Sequence, residues 1–328
     1  MKTKEYMKKA VDATVANLYD FKEPVTTTLM KYSENFSFLI TTASEKHYVL
    51  RVNRPRYHTK EELLGELSWM VEIGEETDLV LPKVYCGKDG SLLQSLVVRE
   101  TGVEYTCCLF SYLSGKMIKD LKGEEQRREM YEIGKILATL HNEWQYRDPK
   151  RPMIKRFHWN EKNLLGRDSL FGDWRAYPEL DEVTYPLFLK TVERLLVCLR
   201  QFGKNERNYG MIHADLHRSN IIMKDDVLQI FDFDDCGYGW YLYDLGCTLV
   251  EYTDGVDELL KNLLAGYETI RPLSEEERRM AKNFVLIRRI VRMGWLTSHA
   301  QSDTAKLVDP RYFMETCLMA REFLNQIP

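Results

Sequence analysis

Residues 211–235 read MIHADLHRSNIIMKDDVLQIFDFDD, and the polar side chains of this stretch decide how the chain is interpreted. Two apolar residues, Met211 and Ile212, are followed by a cluster of side chains that handle protons or bind metals. The cluster consists of His213, Asp215, His217 and Asn220. Three interpretations fit such a cluster: the ligands of a metal-dependent hydrolase, a phosphoryl-transfer loop, or a turn whose polar side chains cap the backbone.

The second half of the stretch, VLQIFDFDD, predicts a buried strand that ends in a block of acids. Carboxylates are costly to bury without partners, so a cation or solvent must meet them. The amide oxygen of Asn220 and a carboxylate oxygen of Asp232 suit the hard cation Mg²⁺ better than a metal that prefers thiolates. Asp215, five residues before Asn220, would then orient or deprotonate an attacking hydroxyl.

The composition indicates a folded protein with more than one domain. The chain has 328 residues, which exceeds a single typical domain. Hydrophobic residues at 44% and charged residues at 29% are ordinary values for a globular protein. A net charge of -4 gives no general attraction to nucleic acid, so we expect no nucleic-acid partner.

The cysteines and the N-terminus favour a cytoplasmic location. Seven cysteines without a C-x-x-C pair argue against a disulfide framework and against a structural zinc site. No stretch approaches the ~18 to 20 apolar residues of a membrane span, and the N-terminus lacks the apolar region of a signal peptide. We therefore expect no membrane partner, while the oligomeric state has no readable signal.

The first ~110 residues are rich in predicted strands. Residues 29–52 have the pattern of a hairpin with polar turns at 33–35 and 44–46. The segment TKEELLGELSWMVEIG predicts a helix with Thr59 as its N-cap and Gly74 as its end. Three more apolar segments, LVLPKVY, LLQSLVVRE and YTCCLFSYL, predict further strands.

After Gly115 the pattern becomes mostly helical. Ser274 and Glu277 have the spacing of a capping box at the start of a long helix. The polar stretch at residues 211–235 lies inside the helical part. The prediction is an α+β fold with one lobe at residues 1–112 and a second at residues 113–328.

The spacing D-x-x-x-x-N, followed by an Asp at the end of the next strand, is the arrangement of protein kinase-like enzymes. The whole segment IHADLHRSNIIMKDDVLQIFDFDDCGYGWYLYDLG closely resembles the signature of the aminoglycoside phosphotransferase and choline kinase family. Three upstream segments also resemble parts of that family. The segment SENFSFLITTASEKHYVLRV resembles the nucleotide loop and the strand that carries the basic phosphate contact. GELSWM resembles the helix with the acidic partner, and CCLFSYLSG resembles the strand before the adenine hinge. The resemblance implies a two-lobed protein kinase-like fold with a nucleotide-binding first lobe.

The resemblance also implies a role for each residue of the rear cluster. Asp215 would be the catalytic base, and Asn220 and Asp232 would bind Mg²⁺. His213 and His217 would brace the loop. Asp244, in YDLG, would tie the loop to the following helix and take no part in catalysis.

For the first lobe the resemblance implies contacts with ATP. Arg51 would hold the α- and β-phosphates and pair with Glu66. The segment from Ser33 to Ser37 would cover the phosphates, and the backbone near residues 110–113 would hold adenine. The candidate nucleotide-binding residues are Ser33, Asn35, Ser37, Arg51, Glu66, Phe110 and Tyr112.

Three positions depart from the related kinases. Arg51 stands where many kinases have Lys, and a forked guanidinium contacts phosphate with a different geometry. The phosphate loop has Ser33, Asn35 and Ser37 instead of a glycine-rich pattern, so we expect the backbone to approach ATP less closely there. Ala214 replaces the usual Gly, which leaves the conformation of that turn open.

The predicted activity is ATP-dependent transfer of the γ-phosphoryl group to a hydroxyl of a small molecule, such as an aminoglycoside, a sugar or an amino alcohol. Three alternatives are a protein Ser/Thr kinase, a metal-dependent phosphohydrolase with His213, Asp215 and His217 as ligands, and a pseudokinase that binds ATP without transfer. Only a few residues separate Asp232 from YLYDLG, which leaves no room for a long activation loop. The acceptor itself has no readable motif.

Overall fold

The computed structural model describes residues 2–32, 34–118 and 121–326. The chain divides into two compact units. The first unit comprises Met1–Gly115 and Pro152–Arg156, and the second comprises Lys116–Arg151 and Phe157–Pro328. Within the described ranges, no helix is both long enough and apolar enough to cross a membrane.

The first unit is an antiparallel sheet with two helices. Its elements are α1 (Lys2–Leu18), β1 (Val25–Tyr32), β2 (Phe36–Thr42), β3 (His47–Val52), α2 (Lys60–Glu76), β4 (Val84–Tyr85), β5 (Gln94–Val98) and β6 (Val103–Ser111). The sheet order is β1-β2-β3-β6-β4, and β5 also pairs with β6. The unit continues to Gly115, so the boundary expected after residue 112 falls inside it.

The core of the first unit forms where an amphipathic helix covers the sheet. Along β2, alternate residues are buried, as expected for a strand with one covered face. The apolar stripe of α1 includes Met7, Val11 and Val15, which lie in one cluster with Phe38 and Leu50 of the sheet. The periodic spacing in the first 20 residues thus produces a helix that contributes to the core.

The start of α2 is as predicted, but its end is not. Thr59 accepts from the backbone N–H of Glu62, and Glu62 accepts in return from the N–H of Thr59, which completes a capping box. The helix continues past Gly74 to Glu76, because Ile73 O still accepts from the N–H of Thr77. A glycine ends a helix when it adopts a left-handed conformation, and Gly74 does not.

The second unit is mainly helical. Its elements are β7 (Lys116–Met117), α3 (Gly123–Gln145), β8 (His158–Trp159), α4 (Glu161–Leu165), α5 (Thr184–Phe202), β9 (Tyr209–Ile212), β10 (Ile221–Lys224), β11 (Val227–Ile230), β12 (Gly237–Trp240), α6 (Tyr241–Leu249), α7 (Val256–Glu268), α8 (Glu275–Ser298), α9 (Asp303–Lys306) and α10 (Tyr312–Asn325). Short 3₁₀ turns cover Trp174–Ala176 and Arg218–Asn220.

Close helix packing supports the loops of the second unit. Helices α3 and α7 approach so closely that a Cβ on Gly266 would lie 1.8 Å from Tyr131 O, so only glycine fits there. The start of α8 is the predicted capping box of Ser274 and Glu277. The strands form two small sheets, ordered β11-β10-β7 and β8-β12-β9. The polar loops that contain Asp215 and Asp232 follow β9 and β11.

Candidate active site

One buried carboxylate holds the loop that follows β9. Asp244, in the first turn of α6, accepts hydrogen bonds from the backbone N–H groups of His213 (2.9 Å) and Ala214 (2.6 Å). Its Oδ2 also lies 3.1 Å from Nε2 of His141. Charge-assisted bonds to successive N–H groups fix the backbone where the chain turns. These bonds confirm the expected structural role of Asp244.

Ala214 adopts a conformation that usually requires glycine. Its φ is +64°, in the left-handed region. A residue with a Cβ is strained there by about 1 to 2 kcal/mol. The short bond from its N–H to Asp244 opposes that strain and holds the turn in this conformation.

Three side chains surround the carboxylate of Asp215. Arg288 of α8 donates from Nη2 to Oδ1 at 2.8 Å, and Asn220 donates from Nδ2 to Oδ2 at 3.2 Å. Nε2 of His217 lies 3.4 Å from Oδ2. The side chain is 23% exposed, so the carboxylate is fixed in orientation and still reachable by a substrate hydroxyl.

Asp215 and His217 titrate as an ion pair. Burial raises the pKa of Asp215, but the positive charges of His217 and Arg288 outweigh it and lower that pKa to about 2. Burial lowers the pKa of His217, but the carboxylates of Asp215 and Glu251 outweigh it and raise that pKa to about 9. At neutral pH Asp215 is therefore ionised and His217 is protonated.

Asn220 and Asp232 lie at the adjacent ends of two paired strands. Asn220 directly precedes β10 and Asp232 lies two residues after β11, and these strands pair through Ile221 and Ile230. The N–H of Phe231 donates to Asn220 O, which joins the two loops. The Asn220 amide nitrogen donates to Asp215, so its remaining oxygen is the atom that a cation would meet.

His213 braces the loop and is not placed to bind a metal. It is fully buried, and burial lowers its pKa despite the nearby Asp244 and Asp215 carboxylates. Nε2 lies 3.3 Å from Phe231 O, which can only accept, while Nδ1 accepts from the N–H of Asp215. Both ring nitrogens are thus engaged with the backbone. This geometry argues against the phosphohydrolase interpretation, which requires His213 as a ligand.

A second carboxylate, Glu251, lies behind His217. Its Oε2 is 3.6 Å from Nδ1 of His217 and 3.0 Å from Nε of Arg218. Burial raises the pKa of Glu251, but the hydrogen bond and charge of His217, together with Arg292 and Arg218, hold it well below its usual range. Asp215, His217 and Glu251 form a chain of alternating charges in which His217 is fixed from both sides.

Sequence reasoning missed both Arg288 and Glu251. A signal for Arg288 exists in the helix FVLIRRIVRMGW, where arginines interrupt an apolar run and so cannot all face solvent. Its neighbour Arg289 is also buried but binds the carbonyls of Tyr252 and Tyr312. Only the tertiary structure shows which arginine contacts Asp215.

In the first unit, Arg51 and Glu66 form a buried ion pair. Nη1 and Nη2 of Arg51 donate to the two Glu66 oxygens, both at 2.7 Å, and Nε donates to Asn53 at 2.9 Å. The guanidinium also lies 5.4 Å from the ring centre of Phe110. Arg51 is therefore held by β3, α2 and β6 of the same unit, and its role towards phosphate stays a prediction.

The predicted phosphate loop has three candidate residues, and the structure describes two of them. Ser33 lies outside the described residues. Asn35 accepts from the N–H of Arg54 at 2.9 Å, so its amide oxygen holds the turn between β1 and β2. Ser37 is directly opposite Arg51 in the β2–β3 pair, and the two side chains therefore lie on one face of the sheet.

The predicted hinge begins where β6 ends. Phe110 is buried and pairs with both Val49 and Val84, so its backbone belongs to the sheet. Tyr112 follows the strand and is exposed. Of the two, only Tyr112 has backbone groups outside the strand ladder, which makes it the better candidate for adenine.

A cavity of about 620 Å³ lies in the second unit, beside the Asp215 loop. That size is typical of small-molecule sites. Arg218 and Glu251, the neighbours of His217, line it together with Arg292 of α8. The rest of the wall comes from Lys122, Gln126, residues 252–254, residues 307–309, Arg311 and Tyr312.

Comparison with known proteins agrees with this geometry. Residues 30–281 match the phosphotransferase enzyme family. The chain belongs to that family. It is 24% identical over 263 residues to the amicoumacin kinase of Bacillus subtilis (strain 168), covering 76% of this chain and 73% of that protein. It is 28% identical over 309 residues to the homoserine kinase of Rhizobium rhizogenes (strain K84), covering 89% and 87%.

A solved structure of a microcompartment-associated aminopropanol kinase is also similar. It has a TM-score of 0.83 and 27% identity, with 96% of this chain and 98% of that chain covered. The predicted family and the α+β protein kinase-like fold are confirmed. The predicted class of activity, a small-molecule kinase, is confirmed as well, and the protein kinase alternative is not supported.

Proposed function

We propose that this phosphotransferase uses ATP and Mg²⁺ to phosphorylate the hydroxyl of a small molecule bound in the cavity of the second unit. One observation carries the proposal. The amide nitrogen of Asn220 donates to the backbone O of Asp215 at 2.9 Å and to its carboxylate Oδ2 at 3.2 Å, so the candidate metal ligand contacts the candidate base directly. The bond to the carboxylate is more than the backbone capping of a turn requires.

The donor set fits Mg²⁺. The amide oxygen of Asn220 and the carboxylate of Asp232 are hard ligands, one neutral and one anionic. Mg²⁺ in nucleotide sites uses one or two protein oxygens and takes the remainder from phosphates and water. When bound, it would neutralise charge on the β- and γ-phosphates.

Asp215 would orient the acceptor hydroxyl and take its proton late in the transfer. A carboxylate with a pKa of about 2 is a weak base, so early proton removal is unfavourable. Phosphoryl transfer has a loose transition state in which positioning matters more than deprotonation. The bonds from Arg288, His217 and Asn220 supply that positioning.

Arg51 would contact the α- and β-phosphates from the first unit, with Glu66 and Asn53 fixing its guanidinium. A guanidinium has five N–H donors and can therefore bind more than one acceptor group at the same time. Ser37, opposite Arg51, and the turn at Asn35 would lie next to the phosphates, and the backbone after β6 would hold adenine.

The proposed location of the protein is the cytoplasm, because the cysteines lack the paired spacing of secreted proteins.

The test is a screen for ATP-dependent phosphorylation of pooled alcohols, including amino alcohols, hydroxy amino acids, sugars and aminoglycosides. We expect a phosphorylated product that requires Mg²⁺ and disappears in Asp232→Ala. A matched control is Asp225→Ala, in the turn between β10 and β11. ATP binding without any product would instead favour the pseudokinase, and Asp232→Ala with wild-type turnover would contradict the metal assignment.

A further inference from the structure

Arg288 is a buried cation with few polar contacts. Its Nη2 donates to Asp215, while Nε and Nη1 make no hydrogen bond among the described residues. Cys247 lies nearby, but its thiol donates to Ala214 O at 2.9 Å. Burial also raises the pKa of that thiol well above its usual value, so it supplies no negative charge. A buried guanidinium with one anionic partner needs further contacts to fix its orientation.

Aromatic rings supply these contacts. The ring centre of Phe171 lies 5.3 Å from Cζ of Arg288, and that of Tyr243 lies 6.0 Å from it. Trp159 joins the two rings, with centres 5.0 Å from Phe171 and 5.9 Å from Tyr243. All three aromatic residues are buried. A ring face attracts a cation within about 6 Å of its centre, and it does so more strongly where water is excluded.

The backbone at Phe171 is fixed on the same helix that carries Arg288. Ser298, the last residue of α8, donates from Oγ to Phe171 O at 2.7 Å. Gly172 has a φ of +109° and lies against Gly294 of α8, where an added Cβ on Gly294 would be 2.3 Å from Gly172 O. Only glycine allows so close an approach. The segment between α4 and α5 therefore lies directly on α8 and places a phenyl ring beside the guanidinium.

The next residue on α8, Arg289, is held in a different way. Its Nε, Nη1 and Nη2 each donate to an oxygen atom of another residue, and its guanidinium also lies over the ring of Tyr312. Hydrogen bonds alone can thus fix Arg289. Arg288 lacks such a set, so its orientation depends on Asp215 and on the rings that surround it.

We propose that Phe171 is a positioning residue for phosphoryl transfer, because its ring holds the Arg288 guanidinium in the orientation that fixes the Asp215 carboxylate. The inference rests on the proposed function, since it concerns the orientation of the candidate base. Without the ring the ions stay paired but the pair can shift, and a misplacement of about 1 Å can cost a hundredfold in rate. Phe171 does not line the cavity, so the effect falls on kcat and not on KM for the acceptor.

Phe171→Leu removes the ring and keeps an apolar side chain. We expect kcat to fall about threefold to thirtyfold, the usual range of a cation–π contact, with both KM values within about twofold of the wild type. Circular dichroism checks the fold. If the Leu variant does not fold, Phe171→Met takes its place with the same expectation, because the flexible Met side chain fills irregular space.

The matched control is Phe188→Leu. It also removes a buried phenyl ring from the second unit, but this ring contacts Trp174 and Phe313. We expect kcat to stay at the wild-type value. An unchanged kcat in the folded Phe171 variant, or an equal fall in the control, would overturn the inference.

Combination with Arg288→Met separates positioning from packing. If Phe171 acts through the guanidinium, Phe171→Leu should change kcat by less than about twofold once Arg288 is replaced. A fall by the same factor with and without the arginine would mean that the ring acts only through packing, which contradicts the inference.

Unfolding separates this inference from the activity. If no acceptor gives a phosphorylated product, the proposed function fails. Urea unfolding of the wild type, the two single variants and the double variant then tests the contact itself. A coupling free energy between Phe171 and Arg288 supports the contact, and additive losses of stability contradict it.

Discussion

Arg288 and Asp215 are 73 residues apart in sequence, yet Nη2 of Arg288 donates to Oδ1 of Asp215 at 2.8 Å. The arginine is nearly buried, with its side chain 6% exposed. Asp215 therefore depends on α8 for its orientation as well as on its own loop. Arg288 is a positioning residue: it acts on the transfer through Asp215.

Replacing Arg288 should lower kcat more than it changes KM for ATP. We expect Arg288→Met to reduce kcat by about tenfold to a hundredfold, because a charged hydrogen bond contributes about 1.5 to 3 kcal/mol. Arg288→Lys should recover part of the loss. Steady-state kinetics with circular dichroism as a check on folding would measure this, and an unchanged kcat in the folded Met variant would show that Asp215 needs no such support.

Breaking the Arg51–Glu66 pair should weaken ATP binding. Glu66→Gln replaces the paired carboxylate by a neutral amide, so the position of the buried Arg51 guanidinium towards phosphate becomes less defined. We expect the Kd for ATP to rise about tenfold or more by calorimetry. Glu61→Gln, exposed on the same helix, is the control. Equal affinities for ATP in the two variants would show that the Arg51–Glu66 pair takes no part in nucleotide binding.

Glu129 should make stability depend on pH. Its pKa is raised from 4.5 to about 8 in the folded protein, chiefly by burial. Between these values the folded state holds a proton that the unfolded state has released, so the free energy of unfolding falls as pH rises through that window.

Glu129→Gln should remove this dependence. At pH 5 the variant and the wild type should unfold alike, and at pH 8 the variant should be more stable, by an amount on the order of a few kcal/mol. Urea unfolding at both pH values would show it, with the exposed Glu132→Gln on the same helix as control. A variant that loses stability equally at both pH values would mean that Glu129 has a partner when ionised.

Ala214→Gly should preserve or increase stability. Glycine relieves the strain at a φ of +64°, while its greater freedom in the unfolded chain offsets part of the gain. We expect the variant to be between about 0 and 1 kcal/mol more stable, with activity retained. Ala138→Gly, buried inside α3, should instead destabilise the protein. A large loss of stability in Ala214→Gly would mean that the loop is not held by Asp244.

Local patterns predicted those parts of the molecule that neighbouring residues determine. The Thr59 and Ser274 capping boxes depend on side chains three residues away, and both start their helices as expected. The bond between Asp215 and Asn220 likewise lies within one short loop. The end of α2 was missed because Gly74 continues the helix.

Contacts between distant elements had no such signal. The packing of α8 against α6 brings Arg288 to Asp215 and brings Arg292 to Glu251, which lies beside His217. Sequence periodicity does not specify this packing. The apolar stretch before Asp232 also differs from expectation, since Val227 is exposed on the hairpin of β10 and β11. A buried strand and a half-exposed hairpin strand have similar sequences when they are this short.

The most direct test of the account is transfer of the γ-phosphoryl group from labelled ATP to an accepted alcohol, measured in single turnovers for Asp215→Asn and for Asp226→Asn. Both substitutions exchange a carboxylate for an amide, but Asp226 lies in the exposed turn after β10. We predict that Asp215→Asn slows the transfer by about 10²- to 10⁴-fold and that Asp226→Asn leaves it unchanged. Equal rates in the two variants would contradict the assignment of Asp215 to the reacting hydroxyl.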